Sequence, residues 1–557
     1  MRPTYRAVLV ALFALALAVA ACAQAPAAPS GSAQSSAPTA ASGAAAPKEA
    51  AKAAAPQKGG ALTIALDSEP PTLDPHASPS AVSFYITNQA CESLLYLDEN
   101  RQLKPWLAES WEVSDGGKTF TFKLRKDAKF QDGTPFNAQA VKWNLDRIVN
   151  PAYKAGSALT YLSGFDKAEV VDDYTIKISF KNPYAPFLTN AAGGPLAMIS
   201  PTGTPKQGDQ VNKTPICTGP YKIDEWVAKD HATLSRWDDY NRQLPYAAQT
   251  GPGFADKIVF KFVPENGTRM AAAESGEVQV AAAVPSQDLP RFESNSAYSV
   301  VKKPWVGTPR YWALNVTKPP TDDIKVRQAI NYAVDKDAIL NTLYKGIGTK
   351  GFAPLAASMM DDPALRAYYP FNVEKAKQLL DEAGWKAGAD GVRAKDGQRL
   401  EILINDIDLG SGPQQLDVLL QGQLRNIGAD VKLKTQARAP WYEDNYRCAT
   451  NGPVLFLRSG DPDALTSLFS SANVGSNFNF SCLKDPEIDK MLDQGRAESD
   501  PAKRKDIYLT LQKKLLDGAY MVPLADELSV WAQGQGVRGL AFDGFTYPIV
   551  TQMAGAK

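Results

Sequence analysis

The sequence predicts an α/β fold, in which strands and helices alternate along most of the 557-residue chain. Two patterns support this prediction. Short runs in which every second residue is apolar are typical of half-buried strands, and longer runs with apolar residues three or four apart are typical of helices. The connections between these runs are short, as in sheets that are covered by helices. The chain is 44% hydrophobic and 22% charged, which are values of a globular protein.

The folded part is predicted to begin near Gly59 and to continue to the C-terminus. Alternation, caps and turn residues define the elements of its first half. These are a strand at 61–66, a helix at 82–97, a strand at 119–124, a turn at Asp132-Gly133, a helix from the cap Asn137 to Ile148, strands at 174–180 and 258–262, and a helix at 267–275.

The second half continues the mixture of helices and strands without an internal repeat. Its predicted elements are two helical segments from Asp323, a helix from the cap Asn372 to Gly384, a strand at 400–404, a helix at 414–426, a strand at 430–433, and helices at 486–492 and 502–516.

The N-terminus has the pattern of an export signal. A basic start is followed by the apolar run Ala7–Ala21, which is short for a membrane span. The run ends in small residues before Cys22, which resembles the lipobox of bacterial lipoproteins. We therefore expect a signal peptide at 1–21 and a lipidated Cys22 that begins an Ala- and Pro-rich disordered tether at 22–58. Plain cleavage, with Cys22 incidental, is the alternative.

Composition and motifs exclude several classes of protein. Lys and Arg balance Asp and Glu at 60 each, so a dedicated nucleic-acid binder is not expected. His76 and His231 are the only two histidines, which excludes a multi-histidine metal site. Nucleotide-binding, hydrolase and zinc-protease motifs are missing, and Gly534–Gly539 matches a dinucleotide motif without a following helix. We expect no enzyme, no cofactor and no metal.

Several motifs together resemble the family 5 extracellular solute-binding proteins, which are the peptide, nickel, opine and oligosaccharide receptors of bacterial ABC importers. The matching stretches keep the order of the family from Gly59 to the C-terminus. They are Thr72–Pro75, Leu103–Val113, Asp115–Arg125, Phe130–Val141, Thr218–Lys222, Ser275–Val278, Val326–Asp335 and Ala376–Gly384.

The resemblance implies a two-lobed, periplasmic-binding-protein-like fold of type II, cluster C, with an inserted subdomain in the first lobe. Placed on this sequence, the first lobe comprises 59–96, 200–305 and 521–557. The inserted subdomain is 97–199, and the second lobe is 306–520.

The function implied is that of an extracytoplasmic receptor, held at the membrane by its lipid. It would act as a monomer, close its lobes on a ligand of peptide size or smaller, and deliver that ligand to a membrane permease. An oligopeptide or dipeptide receptor is the first alternative, and a secreted receptor or chaperone without a transport role is the second. A hydrolase is disfavoured.

One departure from the family concerns the charge of the ligand. Peptide-binding members carry Trp-x-x-Asp-Tyr-x-x-Pro, in which the Asp binds the ammonium of the ligand. Here Leu455 stands in place of the Trp and Arg458 in place of that Asp, while Asp461-Pro462 keeps the register. A guanidinium suits a carboxylate or phosphate, so Arg458 predicts an anionic ligand. The alternatives are that Arg458 points outward or pairs with Asp461 or Asp463.

Further candidate contacts are residues near the expected cleft and hinge, because aromatic faces also form the walls of ligand pockets. After Arg458, they are Trp441, Arg310, Tyr311, Trp312, Trp305, Phe84, Tyr85 and Asp461.

Four cysteines remain after Cys22, and residues alone leave three disulfide pairings open. The lobes that the resemblance implies place Cys91 with Cys217 and Cys448 with Cys482. Bonds within lobes leave a hinge free to move, so we predict these two disulfides.

Overall fold

A computed structural model describes residues 58–247, 249–408 and 414–554. The predicted signal peptide, Cys22 and the tether as far as Gln57 lie outside these residues. In the part of the chain that is described, no helix has both the length and the apolar character that crossing a membrane requires.

The first half of the chain is rich in strands. Its elements are β1 (Ala61–Leu66), α1 (Ala81–Thr87), β2 (Leu95–Leu97), β3 (Leu103–Pro105), β4 (Ala108–Ser114), β5 (Thr119–Leu124), α2 (Ala138–Val149), α3 (Ser157–Tyr161), β6 (Phe165–Asp172), β7 (Thr175–Phe180), α4 (Phe187–Asn190), α5 (Gly203–Gln207), β8 (Tyr221–Val227), β9 (His231–Arg236), β10 (Lys257–Phe262), α6 (Asn266–Glu274), β11 (Val280–Ala281), α7 (Leu289–Glu293) and β12 (Tyr298–Pro304).

The second half contains the longer helices. Its elements are β13 (Arg310–Ala313), α8 (Ile324–Ala333), α9 (Lys336–Leu343), β14 (Thr349–Lys350), α10 (Val373–Glu382), β15 (Lys386–Ala387), β16 (Arg393–Lys395), β17 (Gln398–Arg399), β18 (Glu401–Ile407), α11 (Gln415–Arg425), β19 (Asp430–Gln436), α12 (Arg438–Tyr446), β20 (Val454–Leu455), α13 (Ala464–Phe469), α14 (Pro486–Ala497), α15 (Pro501–Asp517), β21 (Met521–Asp526), β22 (Leu528–Gly534), β23 (Ala541–Phe542) and β24 (Pro548–Ile549).

Three sheets organise these elements. A seven-stranded sheet has the order β12-β22-β11-β1-β10-β9-β8, with β1 parallel to both β10 and β11. A four-stranded antiparallel sheet, β4-β5-β7-β6, lies within the predicted inserted subdomain. The third sheet, β14-β21-β13-β20, belongs to the second half and is covered by helices. The first two sheets share one hydrophobic core, while the second half has separate cores.

Most of the predicted elements are present, including the caps. The Asn137 side chain accepts a hydrogen bond from the Ala140 amide, and the Asn372 side chain accepts one from Lys375. Phe120, Phe122 and Leu124 of β5 are all buried, as the alternation predicts. The segment after β22 forms a turn and then β23, so Gly534–Gly539 opens no helix.

The predicted helix at 82–97 is wrong beyond Thr87. The apolar spacing continues, but the backbone after α1 bonds to other parts of the chain. Gly219 donates to the Ala90 carbonyl, and Leu95 donates to the Ala191 carbonyl in the approach to β2. Tertiary pairing therefore takes the groups that a helix would have used, which periodicity alone does not reveal.

The chain crosses between the seven-stranded sheet and the third sheet at two places. One crossing runs from β12 through Gly307 to β13, and the other passes through Glu527 between β21 and β22. The predicted bounds give Met521–Asp526 to the first lobe, but this strand pairs with β13 and β14 in the third sheet. The other domain bounds stay a prediction.

Candidate functional site

A cavity of about 1320 Å³ lies beside the two crossings, with walls from both halves of the chain. The first half contributes α1, Asp67 directly after β1, and the segment Ala282–Ser286 after β11. The second half contributes residues from Phe456 to Ser467 and one face of α12. Ligands of α/β proteins bind beyond the carboxyl ends of strands, which is where these first-half residues lie.

Arg458 lines this cavity and is only partly exposed. Its guanidinium lies over the Trp305 ring, 3.7 Å from the ring centroid, and its Nη1 donates to the Tyr85 hydroxyl at 2.9 Å. The ring contact fixes the plane of the guanidinium, and the Tyr85 bond uses one of its five N–H donors. Of the sequence-predicted residues, the structure thus brings Arg458, Trp305 and Tyr85 together, and Phe84 also lines the cavity.

Arg458 does not pair with either nearby aspartate. Asp461 accepts two hydrogen bonds from Arg504, at 2.6 and 2.9 Å. Burial opposes the charge of Asp461, yet Arg504 holds the pKa of that carboxyl below its usual value. Asp463 lies 3.5 Å from Arg496. Across the described residues, therefore, Arg458 forms no ion pair.

Arg310 is paired, in contrast to Arg458. Glu527 accepts hydrogen bonds from its Nε and Nη2 at 3.1 and 3.0 Å, and also one from the Tyr344 hydroxyl. Burial opposes the charge of Arg310, but Glu527 outweighs it and keeps the pKa of Arg310 above its usual value. Glu527 lines the cavity and Arg310 does not, so the prediction of Arg310 as an anion contact is not supported.

Three predicted aromatic contacts belong to hydrophobic cores instead of the cavity. Trp312 is fully buried and donates to the Gly452 carbonyl, and Trp441 is 5% exposed and donates to the Asn405 carbonyl. Tyr311 is 1% exposed within the same core as Trp441. Central strand β13 directs both of its aromatic side chains into cores, one on each face of the sheet. The correction is that these three residues support the wall without reaching the cavity.

Sequence reasoning missed several residues that line the cavity. Charged and aromatic examples are Asp67, Arg438, Tyr344, Glu527 and Tyr547. Only Asp67 had a usable signal, because it follows the first predicted strand directly. Tyr442 and Arg438 are one helical turn apart on α12, but no pattern indicates which face of that helix borders the cavity.

The structure contains a disulfide between Cys91 and Cys217 and a second between Cys448 and Cys482. The Cα atoms of the pairs are 4.8 and 6.2 Å apart. Both bonds are those of the predicted pairing. The second closes a short segment that includes Arg458. Among the described residues, no group of three or more His, Cys, Asp or Glu side chains is arranged to hold a metal ion.

A cavity between two sheet-containing halves, crossed by two connections, is the architecture of a ligand-binding protein. The profile of the bacterial extracellular solute-binding proteins, family 5, matches residues 102–477. The chain belongs to this family, whose members bind solutes outside the cytoplasm and deliver them to ABC importers.

The relatives agree with this assignment. The glutathione-binding protein GsiB of Shigella flexneri is 30% identical over 487 residues, which cover 86% of this chain and 91% of that protein. The fold is also that of NikA from Brucella suis in complex with Fe(III)-EDTA, with a TM-score of 0.78, 28% identity and coverage of 89% and 99% of the two chains. AgaA from A. tumefacien R10, in complex with agropinic acid, matches with a TM-score of 0.72, 28% identity and coverage of 88% and 96%.

Proposed function

We propose that this protein is a lipid-anchored, monomeric receptor that captures an anionic, peptide-sized solute for an ABC importer. The single observation that carries the charge of the ligand is the unpaired Arg458 in the cavity. The volume of about 1320 Å³ exceeds the roughly 300–1,000 Å³ of drug-sized ligand sites, which suits a short peptide or a conjugate of similar size.

The surroundings of Arg458 favour an anion. A guanidinium in a partly closed cavity, stacked on Trp305 and without a carboxylate partner, gains most from a ligand that brings its own negative charge. Asp461 and Asp463 are already neutralised by Arg504 and Arg496, so they leave the charge of Arg458 uncompensated. An ammonium at this position would be repelled.

The relatives support the same class of ligand. Agropinic acid and Fe(III)-EDTA, the ligands of AgaA and NikA in their complexes, both contain carboxyl groups. Glutathione, named for GsiB, is a small peptide with carboxylates of its own. A receptor for ordinary oligopeptides is the alternative, and it would bind an unmodified cationic peptide at least as well as an acidic one.

The test is calorimetric titration of the protein with glutathione and with short acidic, neutral and cationic peptides. For an acidic probe, Arg458→Ala should weaken binding by about 2–4 kcal/mol, because the anion is left buried without its partner. Arg458→Lys should recover part of the loss, since an ammonium lacks the planar fork. Arg447→Ala, an exposed arginine outside the cavity, is the control. Preference for a cationic peptide, unaffected by Arg458→Ala, would sink the proposal.

The lipid anchor rests on the lipobox-like sequence that ends in Cys22. Cys22→Ala should release the protein from the membrane fraction or block removal of the signal peptide. A variant that still partitions into detergent would show that Cys22 does not carry the anchor. Size-exclusion chromatography with light scattering tests the monomer.

A further inference from the structure

The charged side chains that line the cavity fall into two groups. Three are acids with an arginine partner behind the wall: Asp461 with Arg504, Asp463 with Arg496, and Glu527 with Arg310. None of these three arginines lines the cavity. Each of these three carboxylates is therefore paired with an arginine that lies outside the cavity, and this pairing leaves little of its negative charge for a ligand.

The second group is Asp67, Arg438 and Arg458. Asp67 forms no ion pair among the described residues, and the fully buried Arg269 donates to backbone carbonyls and to the Asn266 side chain. Arg438, like Arg458, forms no ion pair within the described part of the chain. Two guanidinium groups and one carboxylate thus remain without an ion-pair partner, so the charge left over in the cavity is positive and comes from the arginines.

The two arginines occupy different depths and different elements. Arg458 is partly buried and anchored by Trp305 and Tyr85. Arg438 is exposed and is the first residue of α12, one turn before Tyr442, which also lines the cavity. One cation therefore lies inside the cavity and the other at its rim, each beside an aromatic ring that can cover part of a ligand.

We propose that the ligand carries two anionic groups, one bound by Arg458 inside the cavity and one by Arg438 at its rim. The inference rests on the proposed function at Arg458 and extends it to a second contact. Its chemical class is a small acidic peptide or conjugate with two carboxylates, or with one carboxylate and one phosphate. Complementary charge at two separated points selects such solutes against those with one anion, because an unmatched arginine gains nothing from them.

The experiment combines protein variants that lack one arginine with probes that lack one carboxylate. Two matched pairs of probes are titrated: glutathione with its monoethyl ester, and the dipeptide Ala-Glu with Ala-Gln. In each pair the second probe has lost one carboxylate at nearly constant shape. The proteins are the wild type, Arg438→Gln, Arg458→Gln and the control Arg447→Gln. Arg447 lies just past the other end of α12, is exposed and pairs with Glu443, so its removal changes the net charge equally.

For the two-carboxylate probes we expect Arg438→Gln to weaken binding roughly tenfold, while Arg447→Gln has little effect. For the probes with one carboxylate, one of the two cavity variants should lose its effect and the other should keep it. The proposal is overturned if Arg438→Gln weakens all four probes equally or matches the control. It is also overturned if no two-carboxylate probe binds, or if the solute retained by freshly purified protein in native mass spectrometry carries only one anionic group.

The two proposals fail in distinguishable ways. If Arg438→Gln has no effect while Arg458→Gln weakens the acidic probes, the rim contact is wrong and the anion site at Arg458 stands. If Arg458→Gln has no effect on any probe, the proposed anion site itself is wrong.

Discussion

The two disulfides close segments of very different kinds, although both segments contribute to the cavity wall. Cys91 and Cys217 are 126 residues apart and enclose the four-stranded sheet β4-β5-β7-β6 with the packed helix α2. Cys448 and Cys482 are 34 residues apart and enclose the two-residue strand β20, the short helix α13 and a single 3-10 turn. The first segment packs into the core that it shares with the seven-stranded sheet. The second segment is much shorter and packs into the core formed with α14 and α15.

The two segments also differ in whether the arginine associated with each has a carboxylate partner. At one end of the large segment, Glu92 pairs with Arg242, and both side chains are almost fully buried. The short segment carries Arg458, which faces the cavity without such a partner. Arg242 therefore stabilises the fold through its carboxylate partner, whereas Arg458 has no such partner and remains available to a ligand.

The largest effect on stability should come from the bond that closes the longer loop. Replacing Cys91 and Cys217 together by Ser should lower the free energy of unfolding by about 5 kcal/mol, because the unfolded chain regains the freedom of a long loop. Ligand affinity of the folded fraction should change little, since the sheet and core hold this wall. Denaturant titration and calorimetry measure the two quantities. A large loss of affinity at low temperature, where the variant is folded, would contradict the comparison.

The next largest loss of stability should come from breaking the buried ion pair between Glu92 and Arg242. Glu92→Gln leaves the guanidinium of Arg242 buried without its carboxylate, which should cost about 3–5 kcal/mol of unfolding free energy. Glu92 also accepts hydrogen bonds from Trp106 and Tyr240, at 3.1 and 2.7 Å, so its carboxylate links the connection after β3 to the connection after β9. Glu109→Gln, at an exposed position of β4, is the matched control and should be nearly neutral. Equal melting temperatures for the two variants would show that the pair does not stabilise the fold.

The bond of the short segment should affect both stability and binding. Replacing Cys448 and Cys482 by Ser should cost about 4 kcal/mol of unfolding free energy, less than the larger loop. It should also weaken the best anionic probe at least roughly tenfold, because Arg458 would no longer be held over Trp305. The serine pair at 91 and 217 is the control for loss of a disulfide as such. Unchanged affinity here would mean that the wall is held by packing alone.

The smallest expected effect on stability is a pH dependence that comes from His76, in the large segment's surroundings. His76 is fully buried; its Nδ1 accepts a hydrogen bond from Arg147 at 2.8 Å and its Nε2 donates to the Ala197 carbonyl at 2.9 Å. Burial lowers the pKa of His76 from 6.5 to about 4. Below pH 6.5, His76 therefore binds a proton in the unfolded chain, whereas in the folded protein it stays neutral until about pH 4. The free energy of unfolding consequently decreases as the pH falls through this window.

The loss should approach roughly 3 kcal/mol at the acid end of the window. His76→Gln should lack this part of the slope when the unfolding free energy is measured from pH 7 to pH 4. Burial raises the pKa of Asp463 to about 6 and of Asp543 to about 7, which gives an opposite slope. Both proteins share those acids, so the difference between the two curves isolates His76. His231→Gln, at the half-buried first position of β9, is the control. Identical slopes for all three proteins would contradict the prediction.

Sequence patterns predicted the structure correctly where the stabilising contacts of an element are made between residues close in sequence. The caps Asn137 and Asn372, the alternation of β5, and the turn after β22 depend on neighbours in sequence, and each appears as predicted. The predicted helix beyond Thr87 is wrong because the backbone there bonds to distant parts of the chain, Leu95 to Ala191 and Ala90 to Gly219. Periodicity reports which face is apolar, but it does not report which distant groups compete for the backbone.

Residue patterns alone are sufficient to predict the class of fold, the family and an arginine where peptide receptors have an acid. Contacts in the folded protein are needed to show that Arg458 is unpaired while Arg310 is neutralised by Glu527, and that Trp441, Tyr311 and Trp312 lie in cores. The physical reason is that charge pairing and burial depend on contacts between residues far apart in sequence. Glu527 reaches Arg310 across 217 positions, and Tyr85 reaches Arg458 across 373, distances over which no local pattern carries information.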